Sequence, residues 1–278
     1  MMIKIIFIGT SQFGRPALES LIKNGYQILK VVTQPDKTSG RKKELIPSPI
    51  KSFALENNLE ILQPKKISEI KEEISNLNSD LIIVASYGQI ISEEILNYPS
   101  FKSINLHPSL LPKYRGPSPI QTAILNGDKN TGTTIMLMDA KMDHGPILIQ
   151  KKIKIEDNDN YQSLEKKLSQ LSAETLIEIL PQYLKKEIEP KIQDEDQATY
   201  TKMFSRQDGK INLNDNPKEI KRKIKAFYPW PGVWTIIEGK RIKILEVEIV
   251  NNSLILKKVQ PEGKKSMDWK SFKYGIKT

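Results

Sequence analysis

Apolar and polar positions along this chain switch repeatedly between two periods. Lys4-Ile-Ile-Phe-Ile-Gly9 is a short apolar run closed by glycine, and residues 16–22 space their apolar side chains three and four apart, which predicts strand, turn and helix. Further apolar runs lie at 28–32, 81–85, 104–106 and 134–138, and helical patterns near 48–58, 67–77 and 117–126 separate most of them. This alternation predicts a parallel sheet covered by helices, a Rossmann-like α/β domain. Such sheets bind ligands beyond the carboxyl ends of their strands, where Gly9, Gly88, Asn105 and His107 fall in this pattern.

The pattern changes in the second half. Leu164, Leu168 and Leu171 share one face of a helix that starts near 158–160 and is expected to be interrupted at Pro181. Residues 189–199 hold few apolar side chains and read as a linker. A helix is expected near 217–227. After it come short β-prone runs at 233–237, 241–250 and 253–259, separated by Glu238-Gly239 and Asn251-Asn252 turns. We therefore expect a catalytic domain over 1–189, a linker over 190–207 and a small, OB-like β-barrel over 208–278.

At 278 residues the chain is long enough for two domains. No apolar run approaches the roughly 20 residues needed to span a bilayer. Lys4 interrupts the first run, which lacks the flanks of a signal peptide. A cytoplasmic protein is expected. With no cysteine, disulfides, thiolate metal sites and a thiol nucleophile are excluded. The net charge of +10 is uneven: residues 191–278 carry 19 Lys and Arg against 11 Asp and Glu, so most of the excess lies there. A genome biased towards Lys, Ile and Asn accounts for such a surplus as well as a polyanion-binding surface does.

The candidate chemistry sits at the end of one predicted strand. Alternate residues of a strand share a face, so Asn105 and His107 point the same way, and Pro108 then ends the ladder. A second loop, Met142-Asp143-His144-Gly145-Pro146, brings a carboxylate to a neighbouring strand end. An amide, an imidazole and a carboxylate suit acyl transfer, in which an oxyanion is stabilised and a proton leaves an amine. No metal is required. Gly9-Thr-Ser-Gln-Phe-Gly14 lacks the Gly-x-Gly-x-x-Gly pattern, which argues against a dinucleotide site.

Asn105-x-His107-x-Ser109-Leu-Leu-Pro112, with Asp143-x-Gly145 later, resembles the signature of the 10-formyltetrahydrofolate-dependent formyltransferases. Several other stretches resemble the branch of that family acting on methionyl-tRNA: Thr33-Gln-Pro-Asp36, Gly40-Arg-Lys-Lys43, Pro47-Ser-Pro-Ile-Lys51, Ala198-Thr-Tyr200, Asp208-Gly-Lys-Ile211 and Phe227-Tyr-Pro-Trp-Pro-Gly232. The resemblance implies formyl transfer from 10-formyltetrahydrofolate to the methionine amine of initiator tRNA, by a monomer. It implies Asn105, His107 and Asp143 as catalytic residues. Ser109, Leu110, Leu111 and Pro112 form the implied folate motif, with Tyr87 and Gly88 as further candidates for the same pocket. Arg41, Lys42 and Lys43 match a tRNA-contacting loop, and Lys202, Arg206, Lys221 and Arg222 are candidates for following phosphates.

His144 departs from the family pattern and is read as a surface variant. Trp230 and Trp234 are read as packed in a turn. Two rivals remain at this stage: a formyltransferase acting on a sugar nucleotide, and an RNA-binding protein on an inactive formyltransferase scaffold. The basic 33–51 segment favours tRNA over the first. Retention of Asn105, His107 and Asp143 together disfavours the second.

Overall fold

The computed structural model describes residues 2–39 and 44–274. The chain forms two compact units, one made of Met1–Pro117, Thr131–Ile153 and Glu165–Tyr200, the other of Ser118–Asn130, Lys154–Leu164 and Thr201–Thr278.

From the amino terminus the elements are β1 (Lys4–Gly9), α1 (Arg15–Lys23), β2 (Gln27–Val32), β3 (Lys37–Ser39), β4 (Glu44–Ile46), α2 (Pro49–Glu56), β5 (Ile61–Leu62) and α3 (Lys71–Asn76). They continue with β6 (Leu81–Ala85), α4 (Glu93–Asn97), β7 (Ser103–His107), α5 (Pro119–Asn126), β8 (Asn130–Leu137), β9 (Ile147–Lys154) and α6 (Tyr161–Leu184). The carboxy-terminal part adds α7 (Pro217–Ala226), β10 (Val233–Ile237), β11 (Lys240–Val250), β12 (Ser253–Pro261), β13 (Met267–Asp268) and α8 (Trp269–Tyr274).

Seven strands make one sheet in the order β5-β2-β1-β6-β7-β8-β9. Pairs β2·β5, β1·β2, β1·β6 and β6·β7 are parallel, and the chain's direction of travel across the sheet reverses between β1 and β6. Ile5, Ile6, Phe7 and Ile8 are all buried, as expected of a strand covered on both faces. The sheet departs from expectation at β8, which runs antiparallel to β7, with Asn105 opposite Met136 and His107 opposite Thr134.

Local signals explain several element ends. Ser48 accepts from the Lys51 amide and Pro49 occupies the first turn of α2, a common start for a helix. Pro181 does not interrupt α6, which continues to Leu184; the proline stands in the last turn, where little helix remains to be lost. Leu168, Ala173, Leu176 and Leu180 give α6 its buried face.

The second unit contains α5, α7 and a small antiparallel sheet in the order β10-β11-β12-β13. Glu238-Gly239 and Asn251-Asn252 all have positive φ, the backbone that a two-residue hairpin turn requires, so both expected turns are present. Lys210 forms an isolated parallel bridge with Trp234 at the edge of this sheet. Ile220, Ala226 and Phe227 of α7 and its cap, with Val233, Ile242 and Val259, are among its buried apolar groups.

Candidate active site

Parallel pairing of β1, β6 and β7 brings Gly9, Ala85 and Asn105 to one edge of the sheet, with the 86–90 loop leaving from the same edge. Asn105 and His107 lie two residues apart on β7, and both are buried. The Asn105 amide nitrogen donates to Asp143 Oδ1 at 3.1 Å, and His107 Nδ1 stands 3.6 Å from the same oxygen. The other carboxylate oxygen of Asp143 accepts the Gly116 N–H at 2.8 Å. The structure thus brings together all three residues that the sequence nominated.

The His107 ring is oriented from its far side. Nε2 is 2.9 Å from the carbonyl of Tyr114, which can only accept, so Nε2 carries a hydrogen. Nδ1 is left facing the Asp143 carboxylate. Asp143 itself adopts φ +49°, a left-handed backbone that Asp tolerates better than most residues.

The loop after β7 is a tightly bonded turn. The Ser109 hydroxyl donates to the Lys113 carbonyl at 2.6 Å, and its own carbonyl accepts from Thr134 Oγ1 at 2.6 Å. Leu111 is buried; its N–H donates to Thr134 Oγ1 at 3.2 Å and its carbonyl accepts the Gln150 amide at 2.8 Å. The Leu111-Pro112 peptide is cis. Leu110 and Pro112 remain partly exposed. On the neighbouring loop Tyr87 is buried with a hydroxyl that has no protein partner, burial pushes that phenol up to about 12, and Gly88 is exposed with φ +81°. Partly exposed apolar side chains and accessible backbone, on loops leaving one sheet edge, suit a flat heteroaromatic ligand with polar edges, whereas the Tyr87 side chain itself packs in the core with Ile6, Ile8 and Ile82.

A further set of residues was not marked by sequence reasoning. The segment 191–200, expected as a linker, is bonded along its length to β9, the Asp143 turn and the loop after β7. Lys191 exchanges both backbone hydrogen bonds with Ile147 at 2.8 Å, the Tyr114 N–H donates to Thr199 Oγ1 at 2.9 Å, and the Arg115 N–H donates to the Thr199 carbonyl at 2.8 Å. Arg115 is fully buried, and its guanidinium binds Gln193, Glu195 and the Tyr200 hydroxyl. The Arg115 hydrogen bonds hold the Glu195 carboxyl below the usual carboxylate range, and the Glu195 bond in turn raises Arg115. The sequence signals were the Ala198-Thr-Tyr200 stretch and a polar segment dense in side-chain amides and carboxylates.

His144, read from sequence as a surface variant, is half-buried. Its Nδ1 is 2.6 Å from Asp139 and its Nε2 is 3.4 Å from Glu195, so it bridges the Asp143 loop to the 191–200 segment.

The candidate tRNA contacts are described only in part. Arg41, Lys42 and Lys43 lie outside the described residues. In the second unit Lys202 is exposed, paired with Asp208 and set 5.6 Å from the Phe204 ring centre. Arg206 and Lys221 are exposed. Arg222 is half-buried, its guanidinium packed so closely on Gly127, at the end of α5, that a Cβ there would stand 2.2 Å from it. Trp234 is packed, as read, between the Arg206 carbonyl at 3.0 Å and the Arg241 guanidinium at 4.2 Å, whereas Trp230 is exposed. Among the described residues, no group of three His, Asp or Glu is placed to hold a metal ion, and no helix is long and apolar enough to cross a membrane.

Two family models match the chain: formyl transferase over residues 3–202 and formyl transferase, C-terminal domain, over residues 203–254. The chain is 42% identical over 296 residues to a methionyl-tRNA formyltransferase of Thermodesulfovibrio yellowstonii, covering 98% of this chain and 96% of that protein. Its fold resembles the methionyl-tRNA formyltransferase of Clostridium thermocellum, with TM-score 0.64 at 18% identity, over 94% of this chain and 99% of that one. It also resembles an N-formyltransferase of Helicobacter canadensis in complex with folinic acid and dTDP-3-aminofucose, with TM-score 0.69 at 22% identity, over 96% and 99%.

Proposed function

The chain belongs to the formyl transferase family, and from that premise we propose that it transfers a formyl group from 10-formyltetrahydrofolate to the methionine amine of initiator methionyl-tRNA. The observation that carries the reading is the junction of Asn105, His107 and Asp143 at the carboxyl edge of the sheet. Asn105 gives one amide hydrogen to Asp143 and keeps a second for the oxyanion that forms when an amine attacks the formyl carbon. His107 presents Nδ1 to the same region while Tyr114 holds its other nitrogen. A single donor of this kind contributes about 2.7–4 kcal/mol of transition-state stabilisation. Asp143 accepts the proton that the amine loses as it becomes an amide, directly or through a water. The proton then goes to the departing folate nitrogen.

The loops at 86–90 and 109–112 would receive the folate, the Leu110 and Pro112 side chains serving as its apolar contacts and the backbone at Tyr87 and Gly88 as its polar ones. Arg41, Lys42, Lys43, Lys202, Arg206 and Lys221 would meet the tRNA phosphates, and Arg222 would act from its seat on α5. Residues 1–189 form the catalytic domain in this reading and 208–278 the RNA-binding one, in a cytoplasmic monomer.

The choice of acceptor is tested by offering the enzyme and 10-formyltetrahydrofolate three amines in parallel: initiator methionyl-tRNA, elongator methionyl-tRNA and a nucleotide-linked amino sugar. Formylation of initiator methionyl-tRNA well ahead of the other two is expected. Preference for the amino sugar would overturn the assignment of acceptor.

A further inference from the structure

Gln193 and Arg115 form a clamp on the Asp143 turn, and its bonding is complete. The Gln193 amide nitrogen donates to the carbonyl of Asp143 at 2.9 Å and to that of Gly145 at 2.8 Å, using both of its hydrogens. Its oxygen accepts from Arg115 Nε at 3.1 Å and Nη2 at 2.9 Å. A flipped amide would oppose oxygen to two carbonyls and nitrogen to a guanidinium, so one orientation alone is possible. Arg115 sends its remaining hydrogens to Glu195 Oε2 at 3.0 Å, Glu195 Oε1 at 2.6 Å and the Tyr200 hydroxyl at 3.1 Å. All five guanidinium hydrogens are matched. Both side chains are buried, Arg115 at 0% and Gln193 at 5% exposure, where an unmatched donor is costly.

The stretch Tyr114-Arg115-Gly116 reaches both catalytic side chains by its backbone. The Tyr114 carbonyl holds His107, and the Gly116 N–H holds Asp143. Arg115 stands between them and reaches the Asp143 turn a second time, through Gln193. The Asp143 backbone, strained into the left-handed region, is therefore fixed from the carboxylate side by Gly116 and from the carbonyl side by Gln193.

We propose that Gln193, held by Arg115, is a positioning residue that sets the Asp143 carboxylate against His107 and Asn105. The proposal rests on the reading of Asp143 as the proton acceptor of formyl transfer. Gln193 lies on the segment that runs into the second unit at Thr201, so the catalytic carboxylate is anchored to the chain leading to the RNA-binding part.

The test uses Gln193→Ala and Gln193→Glu in the full-length protein. The glutamate keeps the shape and the Arg115 contact but removes both donors to the turn, so a folding defect in the alanine variant leaves the isosteric one informative. Both variants should lower kcat by about 10- to 100-fold, because a misplacement near 1 Å costs on that order. KM for folate and for tRNA should stay within about twofold, the mark of an effect confined to the transition state. In an Asp143→Asn background the same changes should cost little more, since the group they position is gone.

A second readout needs no substrate. The chain has two histidines, so a His144→Gln variant assigns the His107 ring resonances by NMR. Those resonances should move in Gln193→Glu towards their positions in Asp143→Asn. Wild-type kcat and resonances in Gln193→Glu, or an equal loss of kcat with and without Asp143, would overturn the proposal. Failure of the wild-type protein to formylate methionyl-tRNA defeats the functional reading instead, and the resonance comparison still decides the clamp.

Discussion

Replacing Asp143 by Asn separates the carboxylate's chemistry from its place in the fold, and the structure supplies the magnitudes. Oδ1 accepts from Asn105 and Oδ2 from Gly116, so either orientation of the new amide sets its NH2 against a donor. One charge-assisted hydrogen bond, worth about 1.5–3 kcal/mol, is exchanged for an unmatched contact. Loss of about 1–3 kcal/mol of stability is expected, which a protein of ordinary stability of about 5–15 kcal/mol survives. The loss of general-base catalysis is larger, about 100- to 10,000-fold in kcat. The assay is steady-state formylation of methionyl-tRNA at 25 °C, with circular dichroism and thermal melting showing that the variant is folded. The KM for folate should change little, because no contact assigned to the folate is touched. A folded variant with kcat within about tenfold of wild type would refute the role of Asp143 as proton acceptor.

Gly145→Ala should lower both Tm and kcat: a Cβ there would lie 2.0 Å from the Leu137 carbonyl oxygen, so the turn carrying Asp143 must shift. Overpacking of this kind costs about 1–3 kcal/mol, and an unchanged melting curve would contradict the geometry. Asp208 is held down to about 2 by the Lys202 hydrogen bond first, then by the Ser205 N–H and hydroxyl. Since this folded value lies below the ordinary value of 3.8, the contribution of Asp208 to stability is complete above about pH 4 and is lost as pH falls through about 2. Acid unfolding of Asp208→Asn should show a shallower pH dependence across that window, and an unchanged slope would deny the interaction. Arg41→Ala should lower kcat/KM for tRNA with a reduced salt dependence, whereas an effect on folate KM alone would place Arg41 elsewhere.

Much of this architecture was legible in the residues because burial imposes period. The all-apolar runs of β1 and β6 could pack only as central strands, and the Glu238-Gly239 and Asn251-Asn252 pairs could only turn. β9 alternates only in part, with half-buried Ile147, Ile149 and Ile153 against exposed Lys152 and Lys154 but Lys151 on the isoleucine side, and this weaker signal was passed over. The antiparallel course of β8 could not be read locally, since an apolar run carries no mark of strand direction. Asn105 and His107 were legible from strand alternation, and Asp143 from its place on a loop at a second strand end. Arg115, Gln193 and Glu195 were not. Arg115 is 78 to 80 residues from the other two, and their meaning lies in matched donors and acceptors, which leave no periodic trace along a chain.

The central claim is that Asn105, His107 and Asp143 move a formyl group onto the methionine amine of a tRNA. Its most direct measurement follows isotopic label from 10-formyltetrahydrofolate in a single turnover with wild-type protein and methionyl-tRNA, then deacylates the tRNA and identifies the labelled amino acid. The account predicts label in N-formylmethionine, formed by the wild type and not by Asp143→Asn on the same timescale. Label remaining on the folate, while the protein binds both substrates, would contradict it.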